Sequence, residues 1–171
     1  ELFPFPVWRR TYPAGALVSN VLGYVGEISE EELRTSAEGD YFGGDLIGKV
    51  GIERSYESEL RGTAGEEALE VDARGRKVRT LDTRSAVKGS DLRLTLDMGV
   101  QKRAVELLAG QRGALVVMDV RTGAVLALAS SPTYDNNPLA WGVSGKEWRD
   151  MTRDPAKPML DRTIAGVYPP A

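Results

Sequence analysis

Residues 112–135 (RGALVVMDVRTGAVLALASSPTYD) constrain the fold of this chain more than any other stretch. Two apolar runs, 114–118 and 124–129, flank a polar segment that ends in Gly123. Short apolar runs on either side of such a loop predict a β-hairpin, with Gly123 in a positive-φ bulge. Neither run alternates cleanly between apolar and polar residues. We therefore expect both faces of the hairpin to be covered, as at the centre of a sheet.

The overall composition excludes several classes of function. Of 171 residues, 42% are hydrophobic and 27% are charged, which is typical of a soluble globular protein. The net charge of −3 argues against a nucleic-acid partner, which usually requires a basic surface. The chain has no Cys and no His, so a disulfide, a thiolate zinc site and a Ser-His-Asp triad are impossible within it. We expect no metal and no cofactor.

Neither end of the chain has the features of a complete protein. No apolar run approaches the roughly 20 residues that cross a bilayer, and no signal peptide is visible. The sequence begins at Glu1 rather than Met and stops at Ala171 after two prolines. We expect a piece of a longer protein.

The first 88 residues have the pattern of a small α+β module. The proline-rich residues 1–14 predict an extended lead-in, and residues 15–26 predict a short helix followed by a tight turn. Ser29 and Glu32 form a capping-box pattern that predicts a helix over 30–37. Ile52, Tyr56 and Leu60 predict one amphipathic helix that ends near Gly62, and residues 68–71 and 76–81 predict a second hairpin.

The second half reads as strand, helix, hairpin and helix. After a polar boundary at 83–89, alternating leucines predict a strand over 92–96 with one buried face. Asp97 can cap the next helix. Ser144 and Glu147 form a second capping box, which predicts a helix to about Arg153. Together these elements predict an α+β fold with a helix on a mainly antiparallel sheet. The apolar face of the helix after Asp97 comprises Val100, Ala104, Leu107 and Leu108.

Two segments are similar to short catalytic motifs, although their surroundings argue against both. Residues 43–50 (GGDLIGKV) nearly match a phosphate-binding P-loop, but Val50 replaces the hydroxyl residue and no buried strand precedes the loop, so a structural turn is favoured. Ser85 and Lys88 match the S-x-x-K motif of serine enzymes that react with penicillin. Gly89 follows immediately and no helix is predicted there, so a solvated linker is favoured.

The remaining polar candidates are best explained as turn and cap residues. Arg121-Thr122-Gly123 is similar to the K-T-G motif of the same enzymes, but it lies in the hairpin turn rather than on a strand that lines a cleft. Asp119, Arg121 and Thr122 are residue types that form turns. Four further carboxylates show no spacing that converges on a site, and we expect caps or solvated faces. These are Asp135, Asp150, Asp154 and Asp161.

Longer phrases of the sequence together resemble one family closely. They are YPAGALVSNVLGYVGEIS, GKVGIERSYESELRG, EVDARGRKV, GSDLRLTLDMGVQKRA, RGALVVMDVRTGAVLALASSPTYD and DRTIAGVYPP. In this order they resemble the class B penicillin-binding proteins, in particular the branch that builds the wall of elongating cells. The resemblance covers almost the whole chain and is more specific than any single motif.

The resemblance implies a fold, an activity and partners. Residues 1–88 would be a non-catalytic pedestal, and residues 89–171 would be the first strand, helix and β-hairpin of a D,D-transpeptidase domain. The parent protein would cross-link peptidoglycan stem peptides and react with β-lactams. It would sit on the outer, periplasmic face of the cytoplasmic membrane, held by an N-terminal helix, with a RodA-type glycosyltransferase as partner. The nucleophile motif would follow Pro170, so this chain contains no catalytic residue and should be inactive alone.

Two alternative functions are left open by the sequence. One is a docking module for a RodA-type protein without any catalytic role. The other is a nucleotide-dependent enzyme that uses the loop at 43–49, which binding of ATP abolished by Lys49→Ala would support. We also expect marginal stability or self-association, because an incomplete sheet exposes an unpaired edge.

Overall fold

The computed structural model describes residues 9–37 and 39–167. The chain forms two compact units: one contains the described residues up to Ser55 together with those from Leu94 on, and the other is Tyr56–Arg93. The first unit contains a 3-10 turn at Gly15–Leu17 and the elements α1 Ser19–Leu22, β1 Val25–Glu27, α2 Glu30–Thr35, β2 Leu46–Gly48, α3 Gly51–Ser55, α5 Met98–Leu107, β5 Gly113–Met118, β6 Val125–Ser131, α6 Asn137–Trp141 and α7 Gly145–Arg153. The second contains α4 Glu57–Arg61, β3 Glu66–Val71 and β4 Lys77–Arg84.

The predicted hairpin at 112–135 is confirmed as strands β5 and β6. They pair antiparallel from Gly113 opposite Ser131 to Val117 opposite Ala127, and the register shifts before Met118. Gly123 has φ +75°, as the bulge pattern predicts. Helix α5 packs against this hairpin through β6, and α1 contacts the same strand.

The hairpin is covered on one face of β5 rather than on both. Ala127 and Ala129 of β6 are completely buried against Ala104 of α5, which is the predicted arrangement of a helix on an antiparallel sheet. On the opposite face, Val116 and Met118 are about half exposed. The expectation of two covered faces is therefore wrong for β5, because in the described chain α5 packs against only one face of a two-stranded sheet.

The predicted strand at 92–96 is also wrong. Two hydrogen bonds join this extended segment to β6: Thr95 Oγ1 donates to Val125 O at 2.6 Å, and Asp97 N donates to Leu126 O at 2.9 Å. One of these uses a side chain, so no regular ladder forms. Asp97 does cap α5 as predicted, since its carboxylate accepts from Gly99 N and Val100 N. Leu107, expected on the apolar face of α5, is 53% exposed.

The predicted amphipathic helix with Ile52, Tyr56 and Leu60 is two helices, α3 and α4. Tyr56 interrupts them with φ −119° and ψ 26°, outside helical values. The buried side chain of α3 is Glu53, whose Oε1 accepts from Arg10 Nε at 2.6 Å. The predicted apolar stripe does not form a buried face, since Ile52 and Leu60 are partly exposed and Tyr56 is 40% exposed.

The local helix signals are confirmed. Ser29 and Glu32 form a capping box on α2, which ends at Thr35, and Ser144 with Glu147 form another on α7, which ends at Arg153 as predicted. The turn after α1 contains Gly23 with φ +77°. In the second unit the predicted hairpin is present as β3 and β4. The lead-in lies partly outside the described residues, and the two terminal prolines lie entirely outside them.

Candidate functional site

The loop that is similar to a P-loop is part of a packed structure. Gly44 forms a turn with φ +95°, and β2 follows at Leu46–Gly48. Lys49 Nζ lies 2.5 Å from Glu32 Oε2. A Cβ added to Gly48 would lie 2.1 Å from the carbonyl oxygen of Glu53. The predicted structural role is confirmed, because the lysine has a carboxylate partner and a glycine of the motif serves backbone packing.

The S-x-x-K pair lies outside any helix, as predicted. Val87, between the two residues, exchanges backbone hydrogen bonds of 2.9 Å with Thr63 in both directions. Lys88 Nζ lies 2.7 Å from Asp91 Oδ1, and both side chains are at least 80% exposed. Ser85 and Lys88 are therefore not arranged as a nucleophile and its base, which require one face of a helix.

The Arg121-Thr122-Gly123 segment is a turn, as predicted. Asp119 Oδ1 accepts from Arg121 N at 2.8 Å, and Gly123 N donates to Asp119 O at 2.8 Å. Thr122 Oγ1 accepts from Ala124 N at 3.3 Å. The polar side chains of the segment stabilise the reversal of the chain.

The four candidate carboxylates serve separate local roles. Asp135, Asp154 and Asp161 each accept a backbone hydrogen bond from the residue two positions later, at 2.7–3.0 Å. Asp150 is exposed on α7. Three of the four carboxylates therefore stabilise local turns, and Asp150 lies on a solvated face as expected. The expectation is wrong for Asp161, because its Oδ2 is buried without a hydrogen-bond partner among the described residues.

The structure instead reveals a cluster of polar contacts between the N-terminal segment and the chain after β6. Asn137 Oδ1 accepts from Tyr12 N at 2.8 Å, and Asn137 Nδ2 donates to Tyr12 O at 3.0 Å. The Tyr12 hydroxyl accepts from Val25 N at 3.0 Å. Because Tyr12 is only 4% exposed, these bonds satisfy backbone groups that water cannot reach.

Three further contacts extend this cluster. Asn136 is completely buried, and its Nδ2 donates to Gly23 O at 2.7 Å. Trp141 Nε1 donates to Arg10 O at 3.1 Å. We call Arg10, Tyr12, Gly23, Asn136, Asn137 and Trp141 the polar junction. It fixes α6 against the segment that precedes β1.

A buried glutamine ties the same segment to the hairpin. Gln101, 1% exposed on α5, donates from Nε2 to Leu17 O at 2.7 Å and to Leu128 O at 3.0 Å. Its Oε1 accepts from Leu128 N at 2.8 Å. One side chain thus joins the N-terminal segment, α5 and β6.

The tyrosines of this region stay protonated. Burial, together with the Glu53 carboxylate, raises the pKa of Tyr12. Burial, with smaller contributions from Tyr24 and Asp161, raises the pKa of Tyr134. Both phenols are therefore neutral at physiological pH. The Tyr12 hydroxyl thus takes part in the polar junction as an uncharged hydrogen-bonding group.

The sequence patterns did not identify the residues of the polar junction. Asn136 and Asn137 follow a turn-like segment, and only Pro138, in the first turn of α6, indicates a helix start. Gln101 lies between the apolar positions of α5 without a distinguishing pattern. The signal for Gln101 is its place beside the apolar stripe of α5, and many solvated polar residues occupy such positions.

Comparisons with known proteins place this geometry in a family. Residues 5–94 match the family model of the penicillin-binding protein dimerisation domain, and residues 113–171 match that of the penicillin-binding protein transpeptidase domain. The chain belongs to the penicillin-binding protein family. The family resemblance and the α+β fold class predicted from the sequence are both confirmed, with a dimerisation domain followed by the start of a transpeptidase domain.

The relatives are enzymes of peptidoglycan synthesis by name. The chain is 41% identical over 170 residues to the peptidoglycan D,D-transpeptidase MrdA of Haemophilus influenzae, covering 97% of this chain and 26% of that protein. It is 44% identical over 167 residues to MrdA of Escherichia coli K12, covering 95% of this chain and 26% of that protein. The chain thus spans about a quarter of the length of the curated relatives it matches.

Solved structures of the same family share the fold. Pseudomonas aeruginosa PBP2, in complex with WCK 5153, superposes with a TM-score of 0.80 at 38% identity, over 98% of this chain and 33% of that one. Helicobacter pylori PBP2, in complex with MreC, gives a TM-score of 0.77 at 36% identity, over 92% of this chain and 29% of that one. Among residues 9–37 and 39–167, no helix is long and apolar enough to cross a bilayer.

Proposed function

We propose that this chain is part of a serine-type peptidoglycan D,D-transpeptidase that cross-links stem peptides during cell elongation. The observation that carries the proposal is the order of the two family matches, a dimerisation domain followed by a transpeptidase domain. Relatives with more than 40% identity that bear the name D,D-transpeptidase support the same activity.

The chemistry belongs to a segment beyond the described residues. We propose that the nucleophilic serine follows Pro170 in the parent protein and attacks the carbonyl carbon of the penultimate D-Ala of a stem peptide. The bond to the terminal D-Ala breaks, this residue leaves as a free amino acid, and an acyl-enzyme forms. An amine of a second stem peptide then attacks the acyl carbonyl, which forms the cross-link and releases the serine hydroxyl. The exposed position of Ser85 and Lys88, outside any helix, supports a chain that is inactive by itself and does not react with penicillin.

The division of labour along the chain is a further part of the proposal. Residues 1–88 would form the non-catalytic pedestal, and residues 89–171 would begin the transpeptidase domain. The dimerisation-domain match, which reaches residue 94, supports the first assignment, and the transpeptidase match, which begins at 113, supports the second. We also propose that the parent is anchored by an N-terminal helix on the outer, periplasmic face of the cytoplasmic membrane, on the strength of the sequence resemblance.

The pedestal is proposed to contact other elongation proteins. The complex of Helicobacter pylori PBP2 with MreC supports an MreC-type partner, while a RodA-type glycosyltransferase rests on the sequence resemblance alone. The Tyr56–Arg93 unit offers a surface for such contact. Four of its apolar side chains are 54–63% exposed. These are Val71, Val78, Leu81 and Val87.

Pull-down experiments distinguish these partners. The full-length protein should retain a purified MreC-type protein, and Val78→Asp with Leu81→Asp should reduce retention, since a charge on an apolar surface disfavours docking. Arg74→Ala, in the turn of the same hairpin, is the matched control and should not. Retention unchanged by both aspartates would remove this hairpin from the interface. Residues 1–88 should retain a RodA-type membrane protein if the RodA assignment is right.

Fluorescent penicillin tests the main proposal. The full-length parent should be labelled covalently, and the 171-residue chain should stay unlabelled. Labelling of the isolated chain that Ser85→Ala abolishes would make Ser85 a nucleophile and overturn the site assignment. A folded parent that takes up no label would overturn the transpeptidase proposal itself.

A further inference from the structure

The described residues after α7, 154–167, form no helix or strand, yet they surround a buried arginine. Arg162 is 8% exposed, whereas its neighbours Ile164 and Val167 are 79% and 94% exposed. Burying a guanidinium is costly unless its donors are satisfied, so the partners of Arg162 indicate what the segment gains from it.

The guanidinium of Arg162 donates hydrogen bonds to three backbone carbonyls of an irregular loop. Nη2 of Arg162 donates to Ala156 O at 2.6 Å, and Nη1 donates to Lys157 O at 3.1 Å and to Leu160 O at 3.3 Å. Carbonyls in a loop have no ladder to pair with, and the rigid fork of arginine fixes several of them in one geometry. Lys157 has φ +49°, a left-handed conformation that a non-glycine residue adopts at a cost. The bonds to Arg162 offset that cost.

A serine of β6 joins this loop to the hairpin. Ser130 is 4% exposed, and its Oγ accepts from Arg162 N at 3.0 Å while donating to Leu160 O at 3.1 Å. One hydroxyl therefore satisfies a donor and an acceptor of the loop, as a neighbouring strand would. The position of the loop is set by the most buried strand of the first unit.

The residues that follow Arg162 are also fixed by hydrogen bonds. Asp161 Oδ1 accepts from Thr163 N at 2.9 Å, and Ala165 N donates to Asp161 O at 2.8 Å. These bonds define the path of the backbone as far as Ala165. Pro170, after which the nucleophile is proposed to lie, is eight positions past Arg162.

We infer that Arg162 is a positioning residue that, together with Ser130, directs the chain toward the nucleophile of the transpeptidase. The inference rests on the proposed function. Neither side chain needs to touch the substrate: the pair transmits the position of β6 to the segment that enters the active site. A displacement of about 1 Å at a reacting group can cost about 100-fold in rate, so loosening this loop should slow acylation.

The test measures acylation of the full-length protein by a fluorescent penicillin at several concentrations, which separates initial affinity from the acylation rate constant. Arg162→Gln and Ser130→Ala should lower the acylation rate constant by about 10- to 100-fold, with less than a threefold change in initial affinity. Arg162→Lys should recover part of the rate, because an ammonium group can still donate to loop carbonyls. Arg153→Gln, which changes an exposed arginine at the end of α7, should react like wild type.

The stoichiometry of labelling separates positioning from folding. A purely structural role would lower the melting temperature and the labelled fraction but leave the rate constant of the folded fraction unchanged, and that result would overturn the inference. Wild-type rates in both variants would overturn it too. If Arg162→Gln does not fold, Ser130→Ala, which keeps the guanidinium, decides. A folded wild type that takes up no label would instead refute the proposed function, on which the inference rests.

Discussion

Asn137 forms a two-point hydrogen-bond pair with the backbone of Tyr12, although 125 positions separate the two residues. The amide oxygen accepts from the Tyr12 N–H and the amide nitrogen donates to the Tyr12 carbonyl, so one side chain replaces a strand partner. The same amide nitrogen also donates to Asp135 Oδ1 at 2.9 Å, which fixes its orientation. The N-terminal segment is thereby fastened to the chain that follows the hairpin.

Replacing Asn137 by alanine should lower the free energy of unfolding by about 2 kcal/mol, because both backbone groups of Tyr12 lose their partner in a largely buried place. Asn137→Asp should be at least as destabilising at pH 7, since a carboxylate would then face the Tyr12 carbonyl and Asp135. Urea denaturation of the 171-residue chain measures both. A change below about 0.5 kcal/mol for the alanine variant would contradict this account.

Gln101 should be more important for stability than its neighbours on α5. Gln101→Ala removes three buried hydrogen bonds and leaves a cavity, and we expect a loss of about 3 kcal/mol. Lys102→Ala, an exposed change one position along the helix, should alter stability by less than about 0.5 kcal/mol. Equal melting temperatures for the two variants would show that Gln101 is not the link between the N-terminal segment and β6.

Two glycines of the P-loop-like segment should differ in their tolerance of alanine. A Cβ at Gly48 would lie 2.1 Å from Glu53 O, whereas a Cβ at Gly43 meets nothing within 4 Å. Gly48→Ala should therefore destabilise the chain by more than about 2 kcal/mol, because the atom it meets is backbone. Gly43→Ala should be nearly neutral. Equal tolerance of both changes would mean that β2 does not pack as described.

Features that depend on neighbours in sequence could be predicted. Ser29, Ser144 and Asp97 each cap a helix through backbone N–H groups two or three positions later, so the pattern contains the whole interaction. The hairpin turn that ends in Gly123 is local in the same sense. The family resemblance rests on the same kind of information, since it compares consecutive residues.

Features that depend on distant partners could not be predicted. Gln101 finds its acceptors 84 and 27 positions away, and Ser130 meets Arg162 32 positions later. Nothing near these residues in the sequence distinguishes them from solvated polar residues. The burial of Glu53 on α3 depends on a distant partner as well, because its carboxylate accepts from Arg10, 43 positions away.

The pair of Glu32 with Lys49 should make stability depend on pH in the acid range. The hydrogen bond from Lys49, followed by the one from Ser29 N, lowers the pKa of Glu32 from its ordinary 4.5 to about 2. A carboxylate with a lower pKa in the folded state stabilises the fold above pH 4.5, and this contribution is lost as the pH falls toward 2. The difference in unfolding free energy between wild type and Glu32→Gln should therefore be positive at pH 7 and shrink between about pH 5 and pH 2. This difference should stay modest, because the Glu32 side chain is 36% exposed and solvent screens the pair.

The control for this prediction is Glu31→Gln, which leaves the pair of Glu32 with Lys49 in place and should preserve the wild-type pH dependence. A difference between wild type and Glu32→Gln that stays constant from pH 7 to pH 2 would show that the Lys49 contact does not stabilise the folded chain.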